Sequence, residues 1–295
     1  MKITNQFQLP EFVSNALTKD TYSRGSSSYS ITQLIDSPRI RILQHRYKDE
    51  MEQDVVDFLW SRFGTAVHNM FEDNVEADNL ITEERLFQDI EGWNISGAID
   101  LQEVNADGSI GVKDYKVTSV WSVIFDKEEW HKQLNAYAWL VRHSKNVPVK
   151  SLQIIAILRD WQRRKAQEDE GYPLSPIHIV DIPLWSDQEQ DLYIEQRINI
   201  HQQAEFAALM DDALPLCSDE ERWKKEDKYA VKKKGNKRAL RVFSSKKEAD
   251  DYQSNSGQNL VIEERRGEST RCVQNWCRVN QWCSQYQKEN TSARD

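Results

Sequence analysis

Asp114 and Lys116 stand two residues apart in the run GVKDYKVTS, which has the composition of a β-strand. On a strand, residues i and i+2 point to the same face, so this carboxylate and this ammonium project side by side. The preceding strand-like run contains SGAID, and a hairpin joining the two runs brings Asp100 near Asp114. Converging carboxylates repel one another and are costly to bury unless a cation neutralises them, and oxygen ligands suit Mg²⁺ or Mn²⁺. Such an ion would polarise a phosphodiester oxygen, while Lys116 would orient the attacking water or stabilise charge developing at phosphorus. The same spacing also fits a plain ion pair on an exposed edge strand.

Two further sets of residues bear on that choice. In GTAVHNMFE, the residues Gly64, His68 and Glu72 recur at steps of four and share one helix face, which makes His68 a further candidate ligand. A histidine in this setting also fits a hydrogen-bonded core residue. Gln133 and Tyr137 are four apart on the helical run after the charged strand. An amide and a phenol there would bond phosphate or water, or else be a solvent-facing Gln beside a core Tyr.

The elements that must position these residues follow from periodicity. SITQLIDSPRIRILQHRY reads as a short helix stopped by Pro38 and resumed after it. A helix is expected over 49–77, with Val55, Val56, Leu59, Phe63, Val67, Met70 and Phe71 on a buried face. Three strands are expected in ERLFQDI, WNISGAIDLQEV and IGVKDYKVT, the last two joined by the turn NADG. An amphipathic helix in DKEEWHKQLNAYAWLVRH, strands in SLQIIAILRDW and IHIVDIPLW, and a helix from the Ser186–Glu189 capping box to about Leu209 complete the order. Helix, three strands, helix, two strands, helix predicts an α/β fold with a mixed central sheet flanked by helices.

The ordered set GTAVH, GAID, DYK and QLNAY resembles the PD-(D/E)XK nuclease superfamily, specifically its RecB-type branch with phage exonucleases. The resemblance covers roughly residues 30–210 and extends to LRDW at 158–161. It implies a restriction-endonuclease-like core and a metal-dependent DNA nuclease, an exonuclease of phage-type recombination or DNA processing. His68, Asp100, Asp114 and the backbone carbonyl of Tyr115 would hold Mg²⁺ or Mn²⁺. Lys116 would be the catalytic lysine, with Gln133 and Tyr137 orienting it or the DNA. A recombination or annealing protein is an expected partner. The alternative is a protein on the same scaffold that holds DNA, or a recombination partner, without cleaving.

The resemblance also covers the cysteines, through relatives similar to the iron–sulfur CRISPR-adaptation nucleases. RCVQNWCRVNQWC sets Cys272, Cys277 and Cys283 near the end of the chain, and Cys217 would be the fourth ligand of a [4Fe–4S] cluster or of Zn²⁺. The family's first cysteine precedes the GxxxH helix, where this sequence has Ser37.

Length and composition are those of a folded soluble protein. The chain has 295 residues, 39% hydrophobic and 29% charged, with no run of roughly 18 apolar residues and no basic-then-apolar start. These features predict a cytoplasmic protein, in host cytoplasm if phage-encoded, with reduced cysteines. The net charge of −9 opposes nucleic acid, but residues 222–247 hold 12 of the 39 Lys and Arg. There Lys232, Lys233, Lys234, Lys237, Arg238 and Arg241 are candidate DNA contacts on a hairpin turning at Gly235-Asn236, followed by a helix. The same residues also fit a solvated charged face. The expected organisation is an N-terminal arm (1–29), nuclease core (30–217), basic ββα insert (218–268) and cysteine-rich tail completing the core (269–295).

Overall fold

Two capping residues, Ser30 and Asp54, set how the N-terminal part folds. The computed structural model describes residues 1–19, 27–73, 77–256 and 259–292. Its chain opens with β1 (Lys2–Thr4) and α1 (Glu11–Thr18), so the expected arm carries regular structure; residues 20–26, which include the start of the Ser-rich run SRGSSSYS at 23–30, lie outside the described residues. β2 (Tyr29–Ser30) leads into α2 (Ile31–Ile35), which Ser30 caps by accepting from Gln33 N while Gln33 bonds back. Pro38 opens α3 (Pro38–Arg46), where its missing N–H has no helical partner to lose.

β3 (Glu52–Asp54) pairs in parallel with β1, and the Asp54 carboxylate then accepts from Val56 N at 3.2 Å. This cap starts a 3₁₀ turn, and α4 runs over Leu59–Glu72. The helix expected from residue 49 therefore begins only at Leu59, because a ladder to a strand far away in sequence takes residues 52–54 first. Its expected far end at 74–76 lies outside the described residues. The expected burial also differs, since Val67 is the one buried side chain of α4 and Leu59, Trp60, Phe63 and Met70 are exposed.

The central sheet follows: β4 (Leu80–Ile90), β5 (Trp93–Val104), β6 (Ile110–Thr118), β7 (Val149–Leu158) and β8 (Ile177–Ile182). Its order is β2-β5-β6-β7-β8, with β4 on β5. β6 and β7 are parallel, while β4–β5, β5–β6 and β7–β8 are antiparallel, so the sheet is mixed. Between β6 and β7 the chain forms α5 (Trp121–Ile124) and α6 (Glu128–Lys145), the latter ending on Asn146 at φ +56°. The short α7 (Arg163–Glu168) precedes β8, and α8 (Asp187–Leu209) starts at the Ser186–Glu189 capping box.

The core lies between sheet and helices. Ile99, Val112 and Ile154 of the sheet, Leu134 and Leu140 of α6, and Ile194 of α8 are fully buried. Each contributes roughly 1.5–3 kcal/mol by leaving water. α6 is apolar on nearly every side from Leu134 to Val141, as a crossover helix buried on several sides must be.

The remaining elements are β9 (Lys228–Lys233), β10 (Arg241–Phe243), α9 (Lys246–Asn255), β11 (Leu260–Arg265), α10 (Thr270–Val273) and α11 (Ser284–Ser292). β9 is central in an antiparallel sheet of order β10-β9-β11. The insert thus gains a third strand beyond the expected ββα. LVIEER carries charges that suit an edge strand, and Glu263 there pairs with Lys232. By packing, the chain divides into one unit of residues 1–38 with 49–210 and a second of 39–48 with 211–295. Among the described residues no helix is long and apolar enough to cross a membrane.

Candidate active site

The β5–β6 ladder ends at the Leu101–Lys113 pair. The next rung would set Asp100 opposite Asp114, but the strands splay there. The Asp100 carboxylate instead accepts the Tyr115 backbone N–H at 2.8 Å, so a side chain takes over the missing ladder bond. Beyond the fork β6 continues on β7 alone, with Asp114 beside Ile154 and Lys116 beside Ala156. Asp100 and Asp114, 7% and 2% exposed, are buried at the fork.

His68 reaches this point from α4. Its Nδ1 lies 3.4 Å from Glu83 Oε1 and 3.5 Å from Asp100 Oδ1, and its Nε2 donates to the Tyr115 carbonyl at 3.2 Å. Every one of these neighbours is an acceptor. The imidazole is satisfied either with both nitrogens protonated or with a cation between Nδ1 and the carboxylates. Burial pulls the His68 pKa down, but the Glu83 hydrogen bond and the Asp100, Glu83 and Asp114 charges raise it above its ordinary value. Burial first, and then the Asp114 charge, push the Asp100 carboxyl up to about 7. Burial and the Asp100 and Glu83 charges also raise the Tyr115 phenol.

This is an excess of buried negative charge, and the donor set fits a divalent cation. Ligand atoms of His68, Glu83 and Asp100 lie within 4.8 Å of one another. Ligands around one small ion at about 2.0–2.4 Å spread over roughly 3–4.5 Å, so modest closure suffices. Asp114 Oδ2 is buried without a hydrogen bond, and the buried Glu83 Oε1 meets the His68 imidazole at 3.4 Å, as oxygens kept for a cation would be. Asp114 Oδ2 is 2.5 Å from Lys116 Nζ, a charge contact that lacks hydrogen-bond geometry.

α6 fixes the other side of Asp114. Gln133 Nε2 donates to Asp114 Oδ1 at 3.0 Å and to the Tyr137 hydroxyl at 3.2 Å, one helical turn on. The helix can approach because position 97 is glycine. A Cβ there would lie 2.9 Å from both Leu140 Cδ2 and Tyr137 Cε1. Gly64, His68 and Glu72 of α4, together with Gly97, Asp100, Asp114, Lys116, Gln133 and Tyr137, line one open cleft of about 500 Å³. The arrangement can hold a cation between carboxylates and imidazole, with an ammonium beside it.

The other predicted residues belong to the second unit. Cys217, Cys272, Cys277 and Cys283 are buried thiols that line a single cavity together with Arg39 and Arg222. Burial, then Cys277 and Cys283, push the Cys272 thiol up to about 11. On the basic hairpin Lys233, Lys234, Lys237 and Arg238 are exposed. Lys232 is paired with Glu263, and the Arg241 guanidinium lies 5.1 Å from the Phe243 ring centre.

The family model of the PD-(D/E)XK nuclease superfamily matches residues 31–284. The chain belongs to the PD-(D/E)XK nuclease superfamily. Membership makes it a metal-dependent nuclease by class, a phosphodiester hydrolase. No curated protein matches the chain. Among solved structures, that of SSO0001 matches with a TM-score of 0.46 and 16% identity, over 72% of this chain and 89% of that chain.

Within this nuclease fold the sequence reading missed Glu83. Strand alternation in LITEERL groups Glu83 with Arg85 and gives no reason to single it out. Its backbone leaves the strand at φ +46°, between Thr82 and Glu84, which pair normally with Leu101 and Ile99. That local break aims the carboxylate at His68. The signal in the sequence was limited to a second carboxylate beside Glu84, in a strand that also carries Arg85, Gln88 and Asp89.

Proposed function

We propose that this chain is a divalent-metal-dependent deoxyribonuclease of RecB type, an exonuclease that processes DNA ends in phage-type recombination. The observation that carries the reading is the fork at Asp100 and Asp114, with His68, Glu83 and Lys116 converging on it. His68, Glu83, Asp100, Asp114 and the Tyr115 carbonyl would hold Mg²⁺ or Mn²⁺. When bound, the cation supplies Lewis acidity toward a phosphodiester oxygen and toward water. Lys116 carries its ammonium beside Asp114, where it can donate to a phosphate oxygen as negative charge builds. Gln133, held by Tyr137, fixes the rotamer of Asp114, so the carboxylate need not reorganise during the reaction.

The proposal includes the organisation of the chain, with the catalytic core ending near Cys217, a basic insert, and a cysteine-rich tail. It also includes a [4Fe–4S] cluster, or Zn²⁺ as the alternative, on Cys217, Cys272, Cys277 and Cys283. Arg39 supports this part. It is 4% exposed and its hydrogen bonds go to the Leu214 and Pro215 carbonyls, the Ser284 hydroxyl and Cys283 Sγ, none of them a carboxylate. A buried guanidinium without an anion is costly, and four thiolates around a metal centre supply that anion. Lys233, Lys234, Lys237 and Arg238 are proposed to follow the phosphate backbone.

End-labelled linear and circular DNA, incubated with Mg²⁺ or Mn²⁺, tests the activity. The expected result is release of nucleotides from linear DNA only, abolished in Asp114→Asn and reduced at least a hundredfold in Lys116→Ala. Equal cleavage by parent and both variants would overturn the site. Metal-independent DNA retention without cleavage would favour the binding-protein alternative.

A further inference from the structure

Helix α4 turns Trp60 and Phe63 outward, 53% and 44% exposed, with their rings edge to face at 6.3 Å. Trp121 and Phe125, 59% and 65% exposed, stack at 5.8 Å with planes 16° apart. The two pairs are linked across the end of β6 and β7. The Arg159 guanidinium lies 4.4 Å from the Trp60 ring centre, and its backbone N–H donates to the Thr118 carbonyl at 2.9 Å. Thr118 Oγ1 donates to Ser122 Oγ at 2.7 Å, beside Trp121. Thr118 shares the face of β6 that carries Lys116, two residues and roughly 7 Å further along. On α4, Ser61, Gly64 and Thr65 run from Trp60 directly into the catalytic cleft.

We propose that Trp60, Phe63, Trp121 and Phe125 form a stacking platform for unpaired nucleobases, so that the cleft takes a single nucleic-acid strand. This rests on the nuclease reading above and names the substrate form of that site. The charge in the cleft argues for it. Glu72, Glu83, Asp100 and Asp114 line the cleft against Lys116 and His68, so phosphate attraction there is weak and another source of affinity is needed. Aromatic faces supply one that is independent of sequence, because every base has a π-face. Arg159 over Trp60 adds a cation that can stack on a base and meet a phosphate. Bases inside a duplex hide their faces in the stack, so the platform selects unpaired strand over duplex. Its position beside the cleft favours nucleic acid over a second copy of this chain.

Anisotropy of a fluorescein-labelled 12-mer, single-stranded or as duplex, is measured in EDTA with the full chain, so that cleavage plays no part. Trp60→Leu and Trp121→Leu are expected to weaken single-strand binding about tenfold to a hundredfold each, with duplex binding and the salt dependence unchanged. Trp60→Phe is expected to recover most of the loss. Unchanged single-strand affinity in both leucine variants, or equal losses on both substrates, overturns the platform. So does a change of mass in light scattering on Trp121→Leu, which assigns the patch to a second copy. Asp114→Asn separates the two readings, since its loss of cleavage tests the nuclease and its retained single-strand binding tests the platform.

Discussion

Glu83 adopts a left-handed backbone at φ +46°, a conformation that costs about 1–3 kcal/mol for a residue with a side chain. The flanking residues Thr82 and Glu84 keep their normal partners, and the break brings the carboxylate beside His68, where holding a cation would offset the cost. Glu83→Gln keeps the shape and removes the charge. It is expected to lower Mn²⁺ affinity about tenfold to a hundredfold by titration calorimetry, as removal of an anionic ligand should. It should also raise the melting temperature of the metal-free protein, because one of the crowded charges beside buried Asp100 and Asp114 is gone. Gly64 poses the opposite case. Mid-helix glycine costs about 0.8–1.0 kcal/mol relative to alanine, and a Cβ at Gly64 would meet nothing within 4 Å. Gly64→Ala is expected to raise the urea midpoint by an amount equivalent to about 1 kcal/mol. It should slow DNA cleavage, since the methyl group enters the cleft where a strand must pass.

At the level of elements, the site depends on how closely α6 sits on β5. Gly97→Ala would drive a methyl to 2.9 Å from Leu140 and Tyr137, and overpacking of this kind costs about 1–3 kcal/mol. The shift of Tyr137 would loosen Gln133 from Asp114, so cleavage should fall further than the drop in thermal stability alone explains. Leu140→Ala combined with Gly97→Ala should recover neither, because Tyr137 still meets the new methyl and the loss of buried Leu140 leaves a cavity. His68, Asp114, Lys116, Gln133 and Tyr137 were legible as candidates because helical and strand periods fix which side chains share a face, whereas the GxxD motif around Asp100 came with the family resemblance. Glu83 was not legible, since a break in φ destroys the period that would reveal it. The start of α4 was hidden for a related reason, as pairing of β3 with the distant β1 decides it. Periodicity showed where apolar residues recur on α4 but misjudged their burial, since it cannot say whether protein or solvent lies opposite, and Leu59, Phe63 and Met70 face solvent.

Across the whole molecule, chain order and packing disagree at Pro38. α2 and α3 are consecutive, yet residues 39–48 pack with 211–295 while the chain before Pro38 packs with the sheet. Arg39 bonds the Pro215 carbonyl at 3.0 Å, and Ile40 and Leu43 line the cysteine cavity, while the Leu34 carbonyl of α2 takes Arg197 at 2.9 Å. A ligand stabilises the segment that binds it. If the cysteines hold a metal centre, Cys283→Ser should lose bound iron or zinc and raise amide exchange in 39–48 and 211–292, with α2 unchanged despite lying a few residues away. Saturating Mn²⁺ should protect α4, β5 and β6 and leave α3 alone. Hydrogen exchange read by mass spectrometry resolves these segments. Equal exchange of α2 and α3 in the Cys283→Ser protein would show that the cysteines do not govern α3, and the buried Arg39 would then need another anion.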